Sequence, residues 1–310
     1  MHNYLLIIVG PTAIGKTALS IKLAEHFNCD IISCDSRQFF KEMEIGTAVP
    51  NKKELTSAKH HFIQNKSIFE NYTVGDFEKE VVYKLEVLFK KNNIQIVVGG
   101  SGLYVNAILQ GFDDFPEIPS AIRENVRKKY EENGLGFLQQ KLQKLDKEYY
   151  STLLNKNPQT LQNPQRMMRF VEVCMASGLA YSSFLNQTKN TRNFIPIIIG
   201  LESEREIMYN RINLRVKIMM QEGLLAEAKK LHANKTLNAL QTVGYKELFD
   251  YFDGKTTLDF AVEQIKMNTR RFAKRQLTWF KKNEEIQWFD FETETSNIIQ
   301  SIENKKALIS

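Results

Sequence analysis

The chain has 310 residues, 43% of them hydrophobic and 25% charged, enough apolar side chain for an ordinary folded core in one large domain or two. Its apolar runs are too short for a membrane span or a secretory leader, and Cys29, Cys34 and Cys174 give neither a disulfide framework nor a metal spacing, which points to reduced thiols in a cytoplasmic protein. The net charge of +6 permits a polyanionic partner without requiring one.

The first element is a short apolar strand, Leu5 to Val9, which runs into Gly10-Pro11-Thr12-Ala13-Ile14-Gly15-Lys16-Thr17. This stretch fits G-x-x-x-x-G-K-[ST], and the strand before it and the helical pattern after it are the context that motif needs. Such a turn aims several backbone N–H groups and a helix N-terminus at one spot, which suits phosphate. Lys16 would reach the terminal phosphates and the Thr17 hydroxyl would hold Mg²⁺, each charge-assisted hydrogen bond contributing about 1.5–3 kcal/mol. The helix that follows places Leu19, Leu23 and Phe27 on one face and stops at Asn28. A short buried strand, Asp30 to Cys34, then delivers Asp35-Ser36-Arg37-Gln38 to the end of the sheet where ligands of open α/β folds sit. Asp35 is expected to face the phosphate loop across that crevice; the bland alternative is an N-cap or Asx-turn acid.

Periodicity does not resolve the stretch from Ile45 to about Gln64, and His60-His61 lacks a carboxylate or cysteine at ligand spacing, so that pair reads as structural or superficial. A helix from Asp76 to about Lys91 follows, with Phe77, Val81, Leu85, Leu88 and Phe89 as core positions. The third strand, Ile94 to Val98, ends in Gly99-Gly100-Ser101-Gly102-Leu103-Tyr104. An ordinary P-loop ATPase or GTPase carries a Mg²⁺-binding Asp there, so its absence argues against a motor or a switch. Glycines instead let the backbone approach a ligand, and Ser101 adds a hydroxyl at the same rim.

The strand and helix alternation breaks at Gly111 to Pro116, with Pro119 close behind. From Ser120 to about Asn186 every pattern is helical, with Gly134 and Gly178 as stops, which describes an insertion. One of its helices begins near Asn163-Pro164 and carries Gln165-Arg166-Met167-Met168-Arg169, with Arg166 and Arg169 on one face; by itself this reads equally as an amphipathic helix with two solvated arginines. The sheet resumes at Phe194 to Gly200, followed by a long helix holding Arg205, Arg211, Arg215 and Lys217 and by helices at Leu224–His232 and Ala239–Phe252. The last long helix, about Leu258 to Lys282, carries Arg270, Lys274 and Lys281 along one side with Arg271 and Arg275 beside them. That stripe suits a phosphate backbone, or is a solvated face, with Trp279 or Phe280 as its anchor to the core. Ile286 to Phe289 closes the sheet, and the tail after Glu292 is a surface helix or frayed.

These blocks together resemble the tRNA dimethylallyltransferases (tRNA isopentenyltransferases) along nearly the whole chain. The resemblance is carried by Gly10 to Thr17, Asp35-Ser36-Arg37-Gln38, Ile45-Gly46-Thr47-Ala48, Gly99 to Tyr104, Gln165-Arg166 with Arg169, Arg211-Ile212 with Arg215-Val216 and Met219, Val243-Gly244-Tyr245-Lys246-Glu247, and Lys274-Arg275-Gln276-Leu277-Thr278-Trp279-Phe280. Two departures touch loop contacts: Val49 stands where the family usually has a lysine after Gly-Thr-Ala, and Phe62-Ile63-Gln64 lacks the usual acid after the histidine pair. The fold class that follows is α/β, a P-loop NTPase-like parallel sheet core with helices on both faces plus an all-helical insertion domain. Its expected boundaries are 1–111 with 190–310 for the catalytic core and 112–189 for an insertion that contacts tRNA.

The resemblance implies transfer of a dimethylallyl group from dimethylallyl diphosphate to N6 of adenosine 37, beside the anticodon, in tRNAs reading codons that begin with U. The phosphate loop, Gly10 through Thr17, would then hold a leaving group. Lys16, Arg215 and Mg²⁺ on Thr17 would neutralise the diphosphate, Asp35 would take the amine proton, and Ser101 would border the base. Asp35, Ser36, Arg37, Gln38 and Ser101 beside the base would touch the anticodon stem-loop. So would Arg123, Gln165, Arg166, Met167, Met168 and Arg169 on the insertion, and Arg270, Lys274 and Arg275 on the last long helix. The partners implied are tRNA and dimethylallyl diphosphate, with no membrane and a monomeric protein. A small-molecule P-loop kinase or an enzyme prenylating free adenine nucleotide would leave the insertion and the basic helix without a task. A nucleotide-gated RNA-binding protein would not explain the missing acid on the third strand.

Overall fold

Strand β1 (Tyr4–Val9) is apolar at every position because both of its faces are covered. Leu5, Ile7 and Val9 join Ile32, Val97 and Ile198 in one layer, while Tyr4, Leu6 and Ile8 join Ile31, Ile96 and Ile199 in the other, the two-residue alternation of a pleated strand. Five strands complete the sheet: β2 (Ile31–Ser33), β3 (His60–His61), β4 (Ile94–Val98), β5 (Ile195–Glu202) and β6 (Gln287–Asp290). The order is β3-β2-β4-β1-β5-β6, with every pairing parallel. This computed structural model describes residues 2–185 and 191–309.

The first layer is roofed by α3 (Val74–Phe89) through Phe77, Val81, Leu85 and Leu88, and by α4 (Gly102–Gln110) through Val105 and Ile108. The second is roofed by α1 (Lys16–Phe27) through Leu19 and Leu23, and by α12 (Thr295–Ile309) through Ile298 and Ile302. The tail after Glu292 is therefore the surface helix of the two expected alternatives, and it buries Ile298 and Ile302 under the sheet. Between Ile45 and Gln64 the chain forms the short α2 (Lys52–Ser57) and the edge strand β3, too brief to show a period. His61 Nε2 lies 2.7 Å from Asp30 Oδ2, so that histidine belongs to the sheet edge rather than to a metal.

Helices α8 (Arg205–Glu222), α9 (Leu224–Leu231), α10 (Tyr245–Phe252) and α11 (Leu258–Phe280) build a further apolar cluster around Val216, Leu224, Leu240, Tyr245, Leu248 and Ile265. The expected helix over Ala239–Phe252 is shorter: a 3₁₀ turn at Asn238–Leu240 precedes it, and Gly244 at φ 99° interrupts the α conformation. Residues Met1–Gln110 and Thr191–Ser310 form one compact unit, and Gly111–Asn190 forms a second.

The second unit consists of α5 (Ser120–Leu145), broken at Gly134, α6 (Lys147–Lys156) and α7 (Pro164–Ser177), with short 3₁₀ turns. Asn163 caps α7 by accepting the Arg166 N–H at 3.1 Å, Pro164 supplies the preset first position, and Gly178 ends the helix in the left-handed region. Its core is rich in aromatic contacts, with Tyr181 against Phe115, Tyr149 and Phe170. No helix among the described residues is long and apolar enough to cross a membrane.

Candidate active site

The loop from Gly10 to Thr17 leaves β1 and enters α1, whose N-cap is Gly15 with no side-chain cap. The first N–H groups of α1 are thus directed at the loop's own concavity, the geometry that binds anions. Three side chains from far along the chain brace this loop. Gln276 Oε1 accepts the Thr12 N–H at 2.9 Å, Arg211 Nε donates to Ala13 O at 2.9 Å, and Arg215 Nη1 donates to Thr12 Oγ1 at 3.3 Å. Gln276 is buried, and its Nε2 donates to Gly100 O at 2.9 Å, so one carboxamide ties the phosphate loop to the turn after β4. A Cβ at position 100 would overlap the Gln276 carboxamide, so a larger residue there would push Gln276 out of these two bonds.

Two cavities meet at this loop. The first, about 800 Å³, is bordered by Ala13 through Thr17, Asp35, Arg211 and Arg215. The second, about 1080 Å³, is bordered by Asp35, Ser101, Tyr104, Arg215, Phe272 and Trp279. Thr12, Asp35, Arg215 and Gln276 line both, so they stand where the cavities join.

Asp35 Oδ1 accepts the Arg37 N–H at 3.0 Å, the Asx-type contact expected of an acid in a turn, and Oδ2 remains for other work. The structure therefore combines the bland reading of Asp35 with the crevice position. Ser36 and Ser101 face each other across the ends of β2 and β4, with hydroxyl oxygens 3.4 Å apart. Lys16 Nζ donates to Pro11 O at 2.8 Å. Burial pulls the Lys16 pKa down to about 8; Asp35 opposes that shift and Arg215 adds to it. Arg215 is likewise lowered by burial, with Asp35 pulling the other way.

A bound diphosphate favours protonated Lys16, so pyrophosphate affinity should be level between pH 7 and 8. Above about pH 8 it should weaken by up to about tenfold per pH unit, because the free protein must then take up a proton on binding. Titration of pyrophosphate by calorimetry in two buffers of different ionisation enthalpy reads both the affinity and the proton. A flat profile to pH 9.5 with no proton uptake would contradict the assignment.

Several expected contact residues are placed differently from one another. Gln38 is tied to the neighbouring loop, its Nε2 donating to Ala48 O at 2.9 Å and its Oε1 accepting from Ser33 Oγ at 3.1 Å. Arg37 Nη1 donates to Ala239 O at 2.9 Å and Asn238 O at 3.1 Å, fastening the rim to the turn before α10. Arg270 is turned toward α8, with Nη1 2.7 Å from Asn213 Oδ1, and borders neither cavity; Lys274 and Arg275 are exposed. On the helical unit, Arg123, Gln165 and Arg166 are exposed, while Arg169 is half-buried with its guanidinium 5.5 Å from the Phe115 ring, so the two arginines of α7 are not equally solvated. Met168 is half-buried. Met167 is corrected: it is wholly buried in the core of that unit and has no surface to offer RNA.

Sequence reasoning missed Gln276 and Arg211 as braces of the phosphate loop. It also missed Glu227, which accepts the N–H groups of Glu44, Ile45 and Gly46 and the Tyr245 hydroxyl, and so fixes the loop that borders both cavities. Nothing local to these residues marks them; their partners lie from 18 to 264 positions away.

A family model described as IPP transferase matches residues 38–283. A tRNA dimethylallyltransferase of Flavobacterium psychrophilum is 69% identical over 303 residues, covering 98% of this chain and 99% of that protein. One from Flavobacterium johnsoniae is 67% identical over 308 residues, covering 99% and 100%. Among solved structures, the full-length tRNA isopentenylpyrophosphate transferase of Bacillus halodurans matches with a TM-score of 0.70 at 34% identity, over 98% of this chain and 96% of that one. A eukaryotic dimethylallyltransferase, described as acting on tRNA, matches with a TM-score of 0.73 at 26% identity, over 98% and 79%. With a phosphate loop facing an acid across two joined cavities, and relatives of this identity along its whole length, the chain belongs to the IPP transferase family, the tRNA dimethylallyltransferases.

Proposed function

We propose that this chain transfers a dimethylallyl group from dimethylallyl diphosphate to N6 of adenosine 37, beside the anticodon, in tRNAs reading codons that begin with U. Diphosphate is the other product. The observation that most supports this reading is the place of Asp35 at the junction of the two cavities, within reach of a donor held by the phosphate loop and an acceptor entering from the other side. The protein acts in the cytoplasm as a monomer.

In the reaction the C1–O bond breaks with its electron pair leaving on diphosphate, the C1–N6 bond forms, and N6 gives up a proton. The uncapped start of α1, Lys16 and Arg215 meet the growing charge on diphosphate, and the bonds from Gln276, Arg211 and Arg215 hold the loop in place before the charge develops. The Arg37 N–H occupies Oδ1 of Asp35 and sets the carboxylate plane, leaving Oδ2 to receive the proton. Ser36 and Ser101 border the adenine, which must leave its stack in the anticodon loop to reach them.

The described residues hold no group of three or more His, Cys, Asp or Glu that could cage a metal, while the Thr17 hydroxyl borders the loop-side cavity. That donor set suits Mg²⁺, which keeps much of its water and binds substrate phosphates with few protein ligands. Thr17 would hold it, and the ion would supply further positive charge against the leaving diphosphate. Arg123, Gln165, Arg166, Met168 and Arg169 of the helical unit and Lys274 and Arg275 of α11 would grip the stem-loop through phosphate and base contacts.

The test is incubation of the purified protein with Mg²⁺, radiolabelled dimethylallyl diphosphate and either unmodified tRNA or AMP. Label enters tRNA and, after digestion, is recovered as N6-modified adenosine. Label in AMP alone would move the function to a free-nucleotide enzyme.

A further inference from the structure

One α11 face carries, beside Arg275, side chains to which the proposed transfer assigns no task. Phe260, Gln264, Asn268, Phe272, Arg275 and Trp279 recur at helical spacing and border the larger cavity. At about 1080 Å³ this cavity exceeds the ~300–1,000 Å³ of sites that enclose a whole drug-sized ligand, so one nucleobase leaves most of it unfilled. Phe272 is 40% exposed, Trp279 42% and Leu103 45%, large apolar surfaces with no partner in the core; the adjacent Phe280, at 3%, is the residue that anchors α11.

Trp279 is held in a defined place. Its indole edge lies against the backbone of Gly102, where a Cβ would overlap the ring, so the side chain stands beside Ser101 and Leu103. Phe272 lies at the junction of the two cavities, bordering both. Seven residues separate the two aromatics, two helical turns or ~10 Å along the axis. Arg275 sits between them, three residues after Phe272 and four before Trp279, with its guanidinium 5.8 Å from the Phe272 ring. From Gln264 to Asn283 the chain has no acidic residue, and Arg271, Lys274 and Arg275 are exposed along the same stretch.

An aromatic, a cation and a second aromatic in line match a base, a phosphate and a second base of a splayed single strand. We infer that Trp279 stacks against a second, unmodified base of the RNA loop, with Arg275 on the phosphate linking it toward the adenosine at the junction. This rests on the proposed transfer to tRNA and adds the contact that holds a neighbouring nucleotide. The charge of the flanking side chains favours a polyanion over an apolar tail or an acidic-poor peptide, and the spacing of the rings favours bases.

The chain has two tryptophans, so a Trp288→Phe protein reports Trp279 alone. Its emission is titrated with an unmodified anticodon stem-loop RNA and with the same RNA carrying an abasic residue at each loop position in turn. The RNA quenches Trp279; the quench persists when the target adenine is removed and disappears when one neighbouring base is removed. In steady state, Trp279→Ala raises KM for the RNA about 5- to 150-fold with kcat unchanged, and Trp279→Phe, which keeps a stacking face, restores most of the affinity. A quench indifferent to every abasic site, or a Trp279→Ala protein that loses kcat at unchanged KM, overturns the inference. RNA that takes up label while Trp279 stays silent sinks this inference alone. RNA that is neither bound nor labelled sinks the transfer reading with it.

Discussion

Asp35→Asn should lower the single-turnover rate of transfer by about 10²–10⁴ while tRNA affinity changes little. Asparagine keeps an oxygen for the Arg37 N–H, so the turn after β2 survives and the loss is that of a proton acceptor. Pyrophosphate should bind no more weakly at pH 7, because the substitution removes a negative charge from the surroundings of Lys16 and Arg215. The same removal takes away the influence that raises the Lys16 pKa, so the loss of pyrophosphate affinity on raising pH should begin below about pH 8 in the variant. A rapid-quench experiment with saturating tRNA gives the rate, and a variant within tenfold of the parent would remove Asp35 from the role of base.

Lys16→Met should cost about 10²–10³ in kcat, the usual effect of deleting one preorganised donor from a site where charge develops. Methionine retains most of the apolar stem, and the bond from Lys16 Nζ to Pro11 O is a single contact in a loop otherwise braced by Gln276, Arg211 and Arg215, so the fold should persist. The decline of pyrophosphate affinity above pH 8 should vanish in this variant, since its cause is gone. Retention of that decline would assign the ionisation to another group.

The phosphate loop is legible because its chemistry is local: spacing alone brings the glycines, the lysine and the threonine into one turn. The main strands are legible for the same reason, each being a run of apolar residues, although β5 continues past its expected end at Gly200 to Glu202. What escapes a linear reading is set by distance or brevity. Two histidines cannot show a strand period, so β3 leaves no signal in the sequence. Apolar spacing continues through Val243, so nothing marked the point where Gly244 breaks the helix and turns a loop toward the larger cavity. Met167 lies in a stretch named for its arginines, but the step of about 100° from Arg166 to the next residue turns it off the arginine face and into the core. The carboxamide of Gln276 shows its purpose only when Thr12 and Gly100 are seen on either side of it.

That last bond has a bearing on how the protein comes into being. Thr12 and Gln276 are separated by 264 positions, and Ala13 and Arg211 by 198. During synthesis from the N-terminus, the phosphate loop emerges among the first residues, Arg211 and Arg215 follow much later, and Gln276 arrives only when almost the whole chain is made. Contacts of such long separation form late and slowly, after the loop-closure entropy of the intervening chain has been overcome. A nascent or truncated chain ending before α11 would keep Arg211 and Arg215 on α8 but lack Gln276, the side chain that ties the phosphate loop to the turn after β4, and would lack the wall of the larger cavity that α11 provides. The phosphate loop and the turn after β4, both in the first third of the chain, are thus joined by a side chain that exists only when the polypeptide is nearly finished.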